Sequence, residues 1–223
     1  MHRVAALVFD FDGVILETES PAYGSWSELY ASRGVELPLS LWRKEVGSLG
    51  QFDVGAYLEK LTDRALTAEE RAARWSRKLE LVAAQETMPG VEALIAEAAD
   101  RGVPLAVASS DTDDWVIGHL RRLGLLERFQ VVVTANGNPA RAKPDPTVFF
   151  EAVDALKVAP EEAVAFEDSP NGVTAAKAAG MWCVAVPNEI TRDSDLAAAD
   201  SVVPTLNGFE FDDLEALVRQ SSS

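Results

Sequence analysis

An α/β fold, a Rossmann-like doubly wound parallel sheet with an inserted helical domain, is predicted by three observations. Short apolar runs recur near residues 4–9, 103–109, 129–134, 162–166 and 182–186, as expected of strands buried on both faces. Stretches with helical spacing separate them, which favours βα units. Several runs stop abruptly at carboxylates or hydroxyls, and in open α/β sheets ligands bind at the carboxyl ends of the strands.

The first run ends in Asp10-Phe11-Asp12-Gly13. An uncompensated pair of acids at the mouth of a core strand is too costly to be incidental packing, so the pair reads as a cation or catalytic site. The plainer alternative is a polar exit from strand to loop. Asp10 and Asp12 share a face if the strand continues; Gly13 favours a turn that would part them.

Residues 18–87 lack strand signal and are helix-rich. Trp26, Leu29 and Tyr30 fall on one helix, Leu41 to Val46, Tyr57 to Leu61 and Thr67 to Ala84 on others. Thr67 followed by Glu70 forms a capping box, and Met88-Pro89-Gly90 marks the return. The predicted division is a core of residues 1–17 and 88–223 with a helical insertion of 18–87.

The second run ends in Ser109-Ser110-Asp111, and Thr112 onward reads as a helix with Trp115, Leu120 and Leu123 among its apolar positions. Asp111 or a nearby hydroxyl would cap it. Hydroxyls and free N–H groups at such a start can also hold a phosphoryl oxygen. Further on, Lys143 is followed by Pro144, which biases its backbone to an extended or turn conformation. Pro146 suits the first turn of a helix through Val148, Phe149, Val153 and Leu156. A lysine so bracketed is a candidate for a fixed charge facing an anion. The fourth run ends in Glu167-Asp168, where a bend lets both acids reach one hard cation. Ser169 is the expected N-cap, with Pro170 at the first helical position and Gly180 just past the end.

Acids, hydroxyl, lysine and acids, each following a strand in this order, resemble the four motifs of the haloacid dehalogenase superfamily. The similar branch contains β-phosphoglucomutase and phosphoglycolate phosphatase, and the likeness runs from Val4 to about Val203. The resemblance implies a magnesium-dependent phosphatase acting on a small phosphorylated metabolite, such as a sugar phosphate, through an aspartyl-phosphate intermediate. It implies that Asp10 is the nucleophile and that Asp12 is the general acid and base. Ser109, Ser110 and Lys143 would bind the phosphate, with Ser109 and Lys143 also steadying the transition state. Magnesium would be held by the Asp10 side chain, the Asp12 carbonyl and Asp168, with Glu167 direct or through water. The family's dehalogenases lack the second acid, because a halide needs no proton; Asp12 favours phosphoester chemistry.

The alternative is a β-phosphoglucomutase-like sugar-phosphate mutase. Those enzymes resemble this chain but carry a histidine where Ala22 stands, and a cap arginine with no counterpart in Gly47 to Asp53; hydrolysis is therefore preferred. In such enzymes the insertion is a cap, here hinged near 14–20 and 86–90, that closes over the site. Within it, Tyr23, Trp26, Arg43, Lys44 and Gln51 are candidate substrate contacts. Each also reads as packing or surface: Trp26 as core, Arg43 and Lys44 as a solvated helix face.

The 223 residues carry 36 acids against 20 bases, a net charge of −16. This disfavours nucleic acid and anionic membranes as partners. No run is long enough to span a bilayer, and with no signal-like segment the expected location is cytoplasmic. The single cysteine, Cys183, excludes an internal disulfide and reads as a buried strand residue. A monomer or weak homo-oligomer is expected, with the terminal serines as a frayed tail.

Overall fold

The computed structural model describes residues 4–43 and 53–220. All five apolar runs form strands: β1 (Ala6–Phe9), β2 (Leu105–Ser109), β3 (Val131–Thr134), β4 (Ala163–Glu167) and β5 (Trp182–Ala185). A two-residue β6 (Ser201–Val202), too short to show any period, joins the edge. The sheet is wholly parallel, in the order β3-β2-β1-β4-β5-β6. The chain leaves β1 towards β2 and β3, then returns to place β4 on the other side of β1. The strand order reverses between β1 and β4, and a crevice forms at such a point.

The outer layers are helical. Leu7, Phe9, Leu105, Val107, Val164, Phe166 and Val184 form one buried cluster with residues of α5 (Val91–Asp100), α6 (Asp113–Arg122) and α9 (Phe211–Gln220). The intervening residues are smaller: Ala6, Val8, Ala106, Ala108, Ala163, Ala165, Cys183 and Ala185. They meet α7 (Thr147–Leu156) and α8 (Pro170–Ala178) on the opposite face. Alternation of large and small residues, both buried, is the period of two that a sheet covered on both sides requires. Pro146 is the N-cap of α7 and lies just before its first turn. Its neighbour Asp145 accepts the Thr147 N–H at 2.9 Å, work that proline, without a side-chain acceptor, cannot do. Ser169 and Pro170 begin α8 as expected, and Gly180 follows its end with φ of 84°.

Between β1 and α5 lie α1 (Glu19–Ser32), α2 (Leu39–Trp42), α3 (Val54–Thr62) and α4 (Ala68–Ala83). They enclose their own core of Ala22, Tyr30, Leu37, Trp42, Val54, Leu58 and Leu66, joined by Ile190. The capping box forms, with Thr67 Oγ1 accepting the Glu70 N–H and Glu70 accepting the Thr67 N–H. The two connections to the rest of the chain run side by side: Leu16 bridges Thr87, and the Met88 N–H donates to the Ile15 carbonyl at 2.9 Å. No helix among the described residues is long and apolar enough to cross a membrane.

Candidate active site

Register brings the site together. Phe9 pairs with Phe166 across β1 and β4, so the next residues, Asp10 and Glu167, leave the sheet side by side. Lys143 arrives from the loop before α7 and stands between them, its Nζ 2.6 Å from Asp10 Oδ1 and 2.6 Å from Glu167 Oε1. The ammonium also lies over the Phe149 ring, 4.8 Å from its centroid. The Lys143 N–H donates to Ser110 Oγ at 3.0 Å, which ties this loop to the end of β2. Ser109 is buried, and its Oγ accepts the Asp111 N–H at 3.0 Å. The helix start belongs to Thr112, whose hydroxyl accepts the Trp115 N–H.

Glu167 is fully buried and its second oxygen accepts the N–H groups of Asp168 and Ser169 and the Ser169 hydroxyl. The space for that carboxylate exists because residue 172 is glycine: a Cβ there would stand 1.8 Å from Glu167 Cδ. Gly13 does similar service. Its φ is 80°, and a Cβ would stand 2.2 Å from Asp168 Oδ2, so both backbone and space demand glycine.

Asp10, Glu167 and Asp168 each present an oxygen within 4.8 Å of the others. Three carboxylates face one ammonium, so full ionisation would leave two negative charges uncompensated in a buried place. All the donors are hard oxygens, and that deficit would equal the charge of one divalent cation, so the residues suit a hard divalent metal ion. Burial and the Glu167 charge push the Asp10 carboxyl well above its ordinary range, against the pull of Lys143. Burial, Glu167 and Asp10 raise Asp168 in the same way. For Lys143, burial pulls downward, but Asp10 and Glu167 outweigh it and the ammonium is held above the usual lysine value.

Gly13 makes the turn, and Asp12 diverges from Asp10. Its Oδ1 accepts the Thr18 hydroxyl at 2.8 Å and the Trp115 indole N–H at 3.0 Å. Burial, then the nearby Asp111 charge, raises its carboxyl above the ordinary value. The site thus holds two acids in different surroundings: one among metal-type donors, one set apart on neutral donors.

Three contributors escape a reading by sequence pattern. Asn188 is buried beyond β5; its Nδ2 donates to Asp168 Oδ2 at 2.7 Å, and its Oδ1 accepts the N–H groups of Ile190 and Thr191. The available signal was its place just past the carboxyl end of a strand. Thr18 and Trp115 complete the surroundings of Asp12, and a helical period reveals neither bond. Among the candidate contacts in the insertion, the Tyr23 hydroxyl donates to the Leu37 carbonyl, Trp26 packs on the insertion's core, and Arg43 pairs with Asp193 at 2.6 Å. Lys44, Gln51 and the loop from Gly47 lie outside the described residues.

By fold, the molecule is an α/β protein whose clustered acids lie at the carboxyl edge of its parallel sheet. Comparison with known proteins narrows this. Residues 4–180 match the model of the haloacid dehalogenase-like hydrolases, and the chain belongs to that family. It is 42% identical over 192 residues to YhcW of Bacillus subtilis (strain 168), which bears the name of a phosphatase; the match covers 84% of this chain and 86% of YhcW. It is 31% identical over 209 residues to the validoxylamine A 7'-phosphate phosphatase of Streptomyces hygroscopicus subsp. limoneus, covering 92% and 95% of the two. Among solved structures, a CbbY variant from Rhodobacter sphaeroides in complex with xylulose-(1,5)bisphosphate superposes with a TM-score of 0.75. That pair is 30% identical, with 94% of this chain and 98% of CbbY covered. The family and branch named by the four motifs are those of its relatives.

Proposed function

We propose that this phosphoric monoester hydrolase uses magnesium to hydrolyse a small phosphorylated metabolite, a sugar phosphate or similar, through an aspartyl phosphate on Asp10. The observation that carries the reading is the buried cluster of Asp10, Lys143, Glu167 and Asp168, with Asp12 held apart from it on neutral donors.

Asp10 and Asp168 would hold the ion directly, with the Asp12 carbonyl. Glu167, whose oxygens are engaged by Lys143 and backbone N–H groups, would serve through water. Magnesium, when bound, supplies the charge neutralisation that lets a carboxylate approach a phosphate dianion. An Asp10 carboxylate oxygen attacks phosphorus, and the bond from phosphorus to the ester oxygen breaks. The departing oxygen takes the proton of Asp12 and leaves as an alcohol. Water then attacks the same phosphorus and gives its proton to Asp12, and the acyl phosphate opens to inorganic phosphate and free Asp10. Ser109 and Lys143 meet the equatorial oxygens. Residues 18–87 act as a cap over the core of 1–17 and 88–223 and exclude water while Asp10 is phosphorylated.

The test is phosphate release from sugar phosphates, phosphoglycolate and nucleotides, with magnesium and with chelator. Magnesium-dependent release from some of them supports the reading. Release from none, or release that survives chelation, overturns it.

A further inference from the structure

The surroundings of Asp12 carry a consequence for proton transfer, given the reading of Asp12 as general acid and base. Both donors to its carboxylate, Thr18 Oγ1 and Trp115 Nε1, converge on Oδ1. Among the described residues no hydrogen bond reaches Oδ2. The indole is itself confined. On its own helix, His119 meets it edge-on at 4.4 Å. From α4 of the insertion, Lys78 Nζ lies over it, 4.6 Å from the ring centroid, and the Trp75 ring stands 6.3 Å away. Lys78 also lies over Trp75 at 5.2 Å, and Arg74 lies between Trp75 and Trp26. The charged side chains facing this place are Lys78 from α4, Asp111 from the end of β2, and Asp10.

We propose that Trp115 is a positioning residue for proton transfer: its indole N–H fixes Oδ1 of Asp12 and so presents Oδ2 to the leaving alcohol. The insertion helix α4 walls the indole in that position. Ring packing alone would fill the same space without aiming an N–H at a carboxylate. A tryptophan chosen only for bulk has no need of a carboxyl group at its one polar atom.

Trp115→Phe separates the two roles, since it keeps an aromatic ring on Trp75 and Lys78 and removes the N–H. The test compares p-nitrophenyl phosphate, whose leaving group needs no proton, with whichever sugar phosphate the wild type hydrolyses fastest. The expected result is a loss of at least about tenfold in kcat on the sugar phosphate, with KM and aryl-phosphate turnover within about threefold of wild type. Equal losses on both substrates, or no loss on either, would overturn the proposal. A second measurement is independent of turnover: the indole N–H resonance of Trp115, assigned by its absence in Trp115→Phe, should move on Asp12→Ala. An unmoved resonance would show that no such bond exists. Absence of wild-type hydrolysis of any ester would instead count against the phosphatase reading, with the resonance still deciding whether Trp115 holds Asp12.

Discussion

Gly172→Ala tests how tightly the acid cluster is built. A methyl group at this position would lie 1.8 Å from Glu167 Cδ and 1.9 and 2.0 Å from its two oxygens, where real Cβ contacts stay above 3.0 Å. The carboxylate must swing away. In doing so it gives up the 2.6 Å pair with Lys143 and the donors from Asp168 and Ser169. Breaking a buried ion pair costs about 3–5 kcal/mol, and alanine's better helix propensity returns at most about 1 kcal/mol. The net loss of about 2–4 kcal/mol lowers Tm by roughly 4–16 °C in a chain of this size. Gly118→Ala is the control. It lies in the interior of α6 with nothing within 4 Å of a built Cβ, and it should hold or slightly raise Tm. The assay is a thermal melt in chelator for wild type and both variants. If Gly172→Ala melts with Gly118→Ala, the Glu167 carboxylate does not occupy the place described, and the account of the cluster fails.

Asn188→Ala removes the donor to Asp168 and leaves the Ile190 and Thr191 N–H groups without their acceptor. Magnesium affinity should fall by about 10–100-fold, as loss of a group that orients a metal ligand commonly does. A magnesium titration followed by thermal shift reads it, and unchanged affinity contradicts the role. Arg33, then the Thr67 N–H, holds the Glu70 carboxyl down at about 2. A folded value below the unfolded one stabilises above the unfolded pKa and ceases to do so as pH falls through the folded value. Glu70→Gln should therefore melt below wild type at neutral pH, with the gap closing between about pH 5 and 2; a gap independent of pH would refute this. Lys143→Met leaves Asp10 and Glu167 facing each other without an ammonium. It should abolish turnover and destabilise the protein by about 3–5 kcal/mol in chelator, and denaturant melts would show whether the cost is smaller.

The strands and the residues at their ends were legible because an apolar run interrupted by acids or hydroxyls is both a structural and a chemical signal. Once the sheet order is known, the pairing of Phe9 with Phe166 explains why Asp10 and Glu167, 157 positions apart in sequence, adjoin. Contributions made across the fold were not legible. Trp115 has the spacing of an apolar helix position, and period says which face a residue occupies but not what its N–H meets. Asn188 sits in a loop, and its bond to Asp168 exists only because β4 and β5 are neighbours. The two residues of β6 offer no alternation to detect. In the insertion, the candidate contacts that are described meet the protein itself: the Tyr23 hydroxyl donates to a carbonyl and Arg43 pairs with an aspartate.

The central claim is that Asp10 carries the phosphoryl group between substrate and water. Acid-quenching the enzyme during turnover with magnesium, then mapping peptides by mass spectrometry, tests it directly. The account predicts a phosphorylated peptide bearing Asp10 in the wild type and none in Asp10→Asn, which should also be inactive. Phosphate release by Asp10→Asn at the wild-type rate, or a phosphoryl group found on another residue, would contradict it.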